Sequence, residues 1–150
     1  MLDRLFPSPT AMSYSGSRVA VWLASLLVVL KMAIALRAIF NGHYVASVAD
    51  GIPLDAYTPA GAQAIVSLFG SLGFTQLLLG VVGLLVIARY RALLPGYLLL
   101  LIVEYAGRKA LAIFLPIHRE GGSGGGALTW ASIALLIVAF VLSLRQRRSP

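Results

Sequence analysis

The chain has 150 residues, 59% hydrophobic and 11% charged, against about 25% charged in a soluble domain. So short a chain has too little interior to hide that much apolar surface, which excludes an ordinary soluble domain and points to the lipid bilayer as solvent. The net charge of +7 comes from basic residues flanking apolar runs, the pattern of topology charges rather than a nucleic-acid surface, and the absence of Cys excludes disulfides, thiol redox chemistry and cysteine metal sites.

Residues 1–17 read as a poorly ordered end. The first apolar segment, 19–40, is "VAVWLASLLVVLKMAIALRAIF". It does not fit a signal peptide, because a long stretch precedes it and Lys31 interrupts its apolar run. Leu2 and the lack of Cys also leave no lipidation motif. A polar, turn-rich link follows, in which Asp50-Gly51 and two prolines mark turns and "ADGIPLD" has the makings of a small cap.

The second segment, 64–88, leads through "RYR" at 89–91 into the third, 92–115. A link this short makes the two an antiparallel hairpin, with Pro95 tolerated in the first turn of the third helix. A Gly-rich loop, "IHREGGSGGG", precedes the fourth segment, 127–144, and residues 145–150 form a second poorly ordered end. Each segment has the length to cross about 30 Å of hydrocarbon, and backbone groups in lipid must pair internally, so each reads as a helix. The predicted fold is all-α: a single transmembrane domain, an integral membrane four-helix bundle. Arg4, Arg18, Arg89, Arg91, Arg145, Arg147 and Arg148 collect on one side, which places that side and both termini in the cytoplasm.

Polar residues inside these segments share one depth. Lys31 lies 13 residues beyond Arg18, and Glu104 lies 13 beyond Arg91. Gln76 precedes Arg89 by 13, and Ser132 precedes Arg145 by 13. Each therefore stands ~20 Å above its basic flank. A central Lys or Glu costs roughly 2.5–3.5 kcal/mol to insert, so a Lys31–Glu104 pair is expected. Gln76, Tyr105 and Ser132 are candidates to satisfy its remaining donors and acceptors. Arg108, at i+4 from Glu104, is an alternative or shared partner. Arg37, Arg108 and Lys109 lie close enough to the outer edge to snorkel.

Gly73, Gln76, Gly80 and Gly83 share one face of the second helix, a close-packing surface with one polar member. His43, His118, Asp50 and Asp55 lack metal-ligand spacing, so no metal site is expected. No nucleophile–base pairing is readable. Trp22, Tyr90, Tyr97 and Trp130 fit interfacial belts.

The stretches "FGSLGFTQLLLGVVGLLVIARYRALLP" and "EYAGRK", with the Gly-rich loop after them, resemble the DoxX-like superfamily of small bacterial four-helix membrane proteins, in particular its uncharacterised relatives. The resemblance covers roughly residues 60 to 145. It implies a link to quinone-coupled oxidation or to redox-stress complexes, as for some members of that superfamily, and carries no active-site residue over to this chain. The residues favour a non-catalytic accessory or structural subunit, partnered by the bilayer and by another membrane protein or a second copy. The alternative is proton or small-molecule handling at Lys31, Gln76, Glu104 and Arg108. A quinone-linked redox subunit, with quinone as cofactor, follows from the resemblance alone.

Overall fold

The computed structural model describes residues 14, 16–117, 119 and 124–145. These residues form four long helices and several short helical turns, with no strand among them. Helix α1 is Arg18–Phe40. It starts at Ser17, whose hydroxyl accepts the Val19 N–H at 3.2 Å, the N-cap arrangement that satisfies an otherwise orphan donor. It stops at Asn41, whose N–H donates to the Arg37 carbonyl at 2.8 Å. Of the terminal residues expected to lack order, Tyr14 packs against the core and donates its hydroxyl to the Ser17 carbonyl. Residues 1–13, 15 and 146–150 lie outside the described residues.

The link after α1 is largely helical. A single turn at Gly42–Tyr44 runs into a π-helical turn at Val45–Ala49, and a 3-10 turn covers Leu54–Ala56. Gly51 takes the left-handed conformation, φ 68°, that reverses the chain between them. Ala46, Ile52 and Leu54 are buried against Ala62, Ile65, Val66 and Phe69, so this link folds back as a cap on the next helix.

Helix α2 is Pro59–Ala88, which begins five residues before the expected Ala64. Thr58 caps it by accepting the Gly61 N–H at 3.2 Å, with Pro59 in the first turn. Apolar content marks the lipid-like part of a helix, whereas the Thr-Pro signal marks where it starts. Its 30 residues span about 45 Å, more than a hydrocarbon core requires. The surplus first turns carry the cap.

A turn at Arg89–Tyr90 and a 3-10 turn at Arg91–Leu93 lead into helix α3, Leu94–Phe114, within two residues of the expected bounds. Helix α4 is Gly124–Leu144, so Gly124–Gly126, expected in the loop, are helical. Residues 118 and 120–123 of that loop lie outside the described residues.

Helix α1 packs along α2 and α4, and α3 packs against α4 and, less extensively, against α2. One core joins all four: Ala24, Leu27 and Val28 from α1, Val86 from α2, Leu94, Tyr97, Leu98 and Leu101 from α3, Leu136 and Ala139 from α4. The glycines of α2 permit its close approach to α1. A Cβ on Gly73 would stand 2.8 Å from the Ala35 carbonyl oxygen, and one on Gly80 would collide with Met32. Gly83 lies under the Tyr97 ring.

The outward faces carry exposed apolar side chains, including Trp22, Leu68, Phe74 and Val103. Helices α1 and α2 and residues 126–144 of α4 are long and apolar enough to cross a membrane. Helix α3 has 21 residues and differs from them in carrying Glu104, Arg108 and Lys109.

Candidate functional site

Glu104 is the centre of the polar cluster. Its Oε2 accepts from Lys31 Nζ of α1 at 2.9 Å. Its Oε1 accepts from Gln76 Nε2 of α2 at 2.6 Å and from Arg108 Nη1, one turn further along α3, at 3.2 Å. One carboxylate thus receives donors from three helices. The helical register explains the convergence. Lys31 and Gln76 lie on the mutually packed faces of α1 and α2, and Glu104 lies on the side of α3 that carries Tyr97 toward α2.

Burial is uneven across the cluster. The Lys31 side chain is 3% exposed, that of Glu104 17% and that of Arg108 45%. The ammonium has the most to lose from desolvation, and it holds the carboxylate and also faces a ring. Lys31 Nζ lies 4.6 Å from the centroid of Tyr105, a cation–π distance. Arg108 approaches the same ring at 5.9 Å. Among the described residues, no buried side-chain nitrogen or oxygen lacks a hydrogen-bond partner.

The fourth helix joins less directly. Ser132 is buried, but its hydroxyl donates to the Leu128 carbonyl of its own helix at 2.8 Å. Among the described residues it makes no hydrogen bond to Lys31, Gln76 or Glu104, and it meets the cluster as a neighbour of Tyr105. Lys31, Gln76, Glu104 and Arg108 are therefore one network, with Ser132 at its margin. Gly73, Gly80 and Gly83 form the packing face beside it and donate nothing to it.

Comparison with protein-family models, with curated proteins and with solved structures gave no match. The DoxX-like resemblance accordingly rests on the sequence stretches quoted for it.

Tyr105, a polar candidate in the sequence, serves chiefly as an aromatic platform for two cations. The pattern recurs outside the network. Arg37 lies 4.5 Å from the Tyr44 ring and Lys109 lies 5.7 Å from the Trp130 ring. A signal for this was available in the i, i+1 and i+4 spacing of Glu104, Tyr105 and Arg108. Tyr97 departs from its expected interfacial place: it is 5% exposed. Its ring fills the space left by Gly83, and its hydroxyl donates to the Leu79 carbonyl at 2.9 Å, so both its apolar body and its polar tip are satisfied inside the core.

Two surface grooves lie elsewhere. One of about 290 Å³ is lined by His43, Ser47, Gly51 and Asp55 with neighbouring residues of the cap. The other, of about 500 Å³, runs between α3 and α4 beside Lys109 and Trp130. Among the described residues, no three His, Cys, Asp or Glu side chains converge as metal ligands.

Proposed function

We propose that the chain is a small multi-pass membrane protein in which the Glu104 network fastens the charged helix α3 to the α1–α2 pair, and that its role is that of a non-catalytic, accessory or structural subunit. All four long helices span the membrane in this reading, with both termini on the cytoplasmic side of a bacterial inner membrane. The observation that carries it is the saturation of Glu104. Three donors occupy an acceptor group with about four lone-pair positions. Such an arrangement satisfies a costly charge and leaves little of it for a substrate.

The reading also accounts for α3. Alone it combines three charges with an apolar length that nearly offsets them. Bridged through Lys31, Glu104 exchanges an isolated intramembrane charge for an internal pair. Purification from the native membrane in mild detergent tests the accessory role. A stoichiometric membrane-protein partner is expected, and a lone, fully functional homomer would overturn it. Reporter fusions after Arg91 and at the C-terminus are both expected to read cytoplasmic.

A second reading, proton or small-molecule handling at Glu104, has one observation in its favour. The cluster is not sealed, since Glu104 and Arg108 keep exposed surface. It requires Glu104→Gln to abolish function at full folded yield. The fastening role instead requires folded yield and function to fall together.

A further inference from the structure

The groove between α3 and α4 carries a second inference, which rests on the membrane reading above. Its walls are apolar: Ala106, Ala110 and Ile113 from α3, Ile133 from α4, with the Trp130 ring on one side. Its volume of about 500 Å³ falls in the range of small-molecule sites. Among the described residues, Lys109 is the one charged group in its lining and no acidic residue lines it.

Lys109 differs from the cations of the Glu104 network. Lys31 and Arg108 both reach that carboxylate. Lys109 has no carboxylate partner among the described residues and faces only the Trp130 ring. It lies 18 residues beyond Arg91, or ~27 Å along the helix, close to the far edge of a ~30 Å hydrocarbon layer. A cation at headgroup depth, above an apolar trough and beside an interfacial Trp, has the shape and charge of a lipid seat.

We propose that this groove binds an anionic phospholipid of the leaflet at the cap end, with the headgroup phosphate on Lys109 and an acyl chain along Ala106, Ala110 and Ile133. A zwitterionic lipid would fill the same trough, but its own ammonium group would offset the attraction to Lys109. The net negative charge of the headgroup supplies the preference.

The chain has two tryptophans, Trp22 and Trp130, so Trp22→Phe leaves Trp130 as a reporter inside the groove. The test reconstitutes this variant in phosphatidylcholine vesicles. A minor fraction of acyl-brominated phosphatidylglycerol, or the same fraction of brominated phosphatidylcholine, then quenches its fluorescence. The seat predicts stronger local enrichment of the anionic lipid, by roughly fivefold for one basic residue. Lys109→Gln should bring the two lipids level, Lys109→Arg should retain the difference, and Arg91→Gln should leave it unchanged. Equal quenching by both lipids before any change at Lys109, or a preference that survives Lys109→Gln, would overturn the proposal. Should Lys109→Gln not fold, Ile133→Trp, read by native mass spectrometry of retained phosphatidylglycerol, replaces it. Loss of retained lipid on filling the trough supports the seat, and unchanged retention refutes it. Failure of the membrane reading is separable: the protein would then be extracted from the vesicles by alkaline carbonate.

Discussion

The two ends of the helix packing are built differently. Toward the Arg89–Arg91 turn, all four helices contribute to one core, and α3 buries Leu94, Tyr97, Leu98 and Leu101 in it. Toward the cap, α1 remains buried through Ala35 and Ala38 against α2, but no α3 residue after Leu101 is buried. Leu111, Ile113, Phe114 and Leu115 are all largely exposed, as are Leu128 and Trp130 of α4. The Glu104 network lies where one regime gives way to the other. Side-chain packing holds α3 below this level, and hydrogen-bonded charge holds it at this level. Above it α3 keeps α4 as its neighbour and presents apolar surface outward. The two ends of α3 also differ in composition: residues 94–101 carry no charge, whereas the stretch beyond Glu104 holds Gly107, Arg108 and Lys109.

The largest effect should come from removing the carboxylate at the junction. Glu104→Leu leaves Lys31 buried without a counter-charge, and about 3–5 kcal/mol of stability should be lost, read as thermal unfolding in detergent. Lys31→Met should cost less, about 1.5–3 kcal/mol, because Gln76 and Arg108 still hold Glu104. An equal cost for the two changes would contradict the uneven burial on which the comparison rests.

Glycine substitutions contrast the two ends directly. Gly83→Ala pushes a Cβ into the Tyr97 ring and to 2.8 Å from Val28 Cγ2, and overpacking of this kind costs about 1–3 kcal/mol. Gly107→Ala meets nothing within 4 Å. It should stabilise α3 by about 0.5–1 kcal/mol through helix propensity alone. If Gly107→Ala destabilised the isolated protein, the open description of the cap end would fail. Tyr97→Phe removes the bond to the Leu79 carbonyl and should cost about 0.5–1.5 kcal/mol. Arg108→Gln should have the smallest effect, at most about 1 kcal/mol, because its guanidinium is nearly half exposed.

Much of the network was legible because depth along a helix can be counted. Equal distances from the basic flanks bring Lys31, Gln76 and Glu104 to one level, and the i+4 spacing brings in Arg108. Counting gives height but not direction around the helix axis. Ser132 stands at the same level, yet its hydroxyl turns back to the Leu128 carbonyl of its own helix. The glycine face of α2 was readable because small residues at helical spacing have few other uses in an apolar segment. The exposed cap end of α3 was not, since an exposed leucine and a core leucine are the same letter. The early start of α2 was encoded in Thr58-Pro59 but masked by the low hydropathy of the residues after it.

The central claim is that Lys31 and Glu104 act as one unit holding α3 to α1. A double-mutant cycle with Lys31→Met, Glu104→Leu and the pair together, read as unfolding free energy in one detergent, tests it most directly. The account predicts strong non-additivity, with the double variant more stable than Glu104→Leu alone and a coupling of roughly 2 kcal/mol or more. Costs that add to within about 0.5 kcal/mol would contradict it.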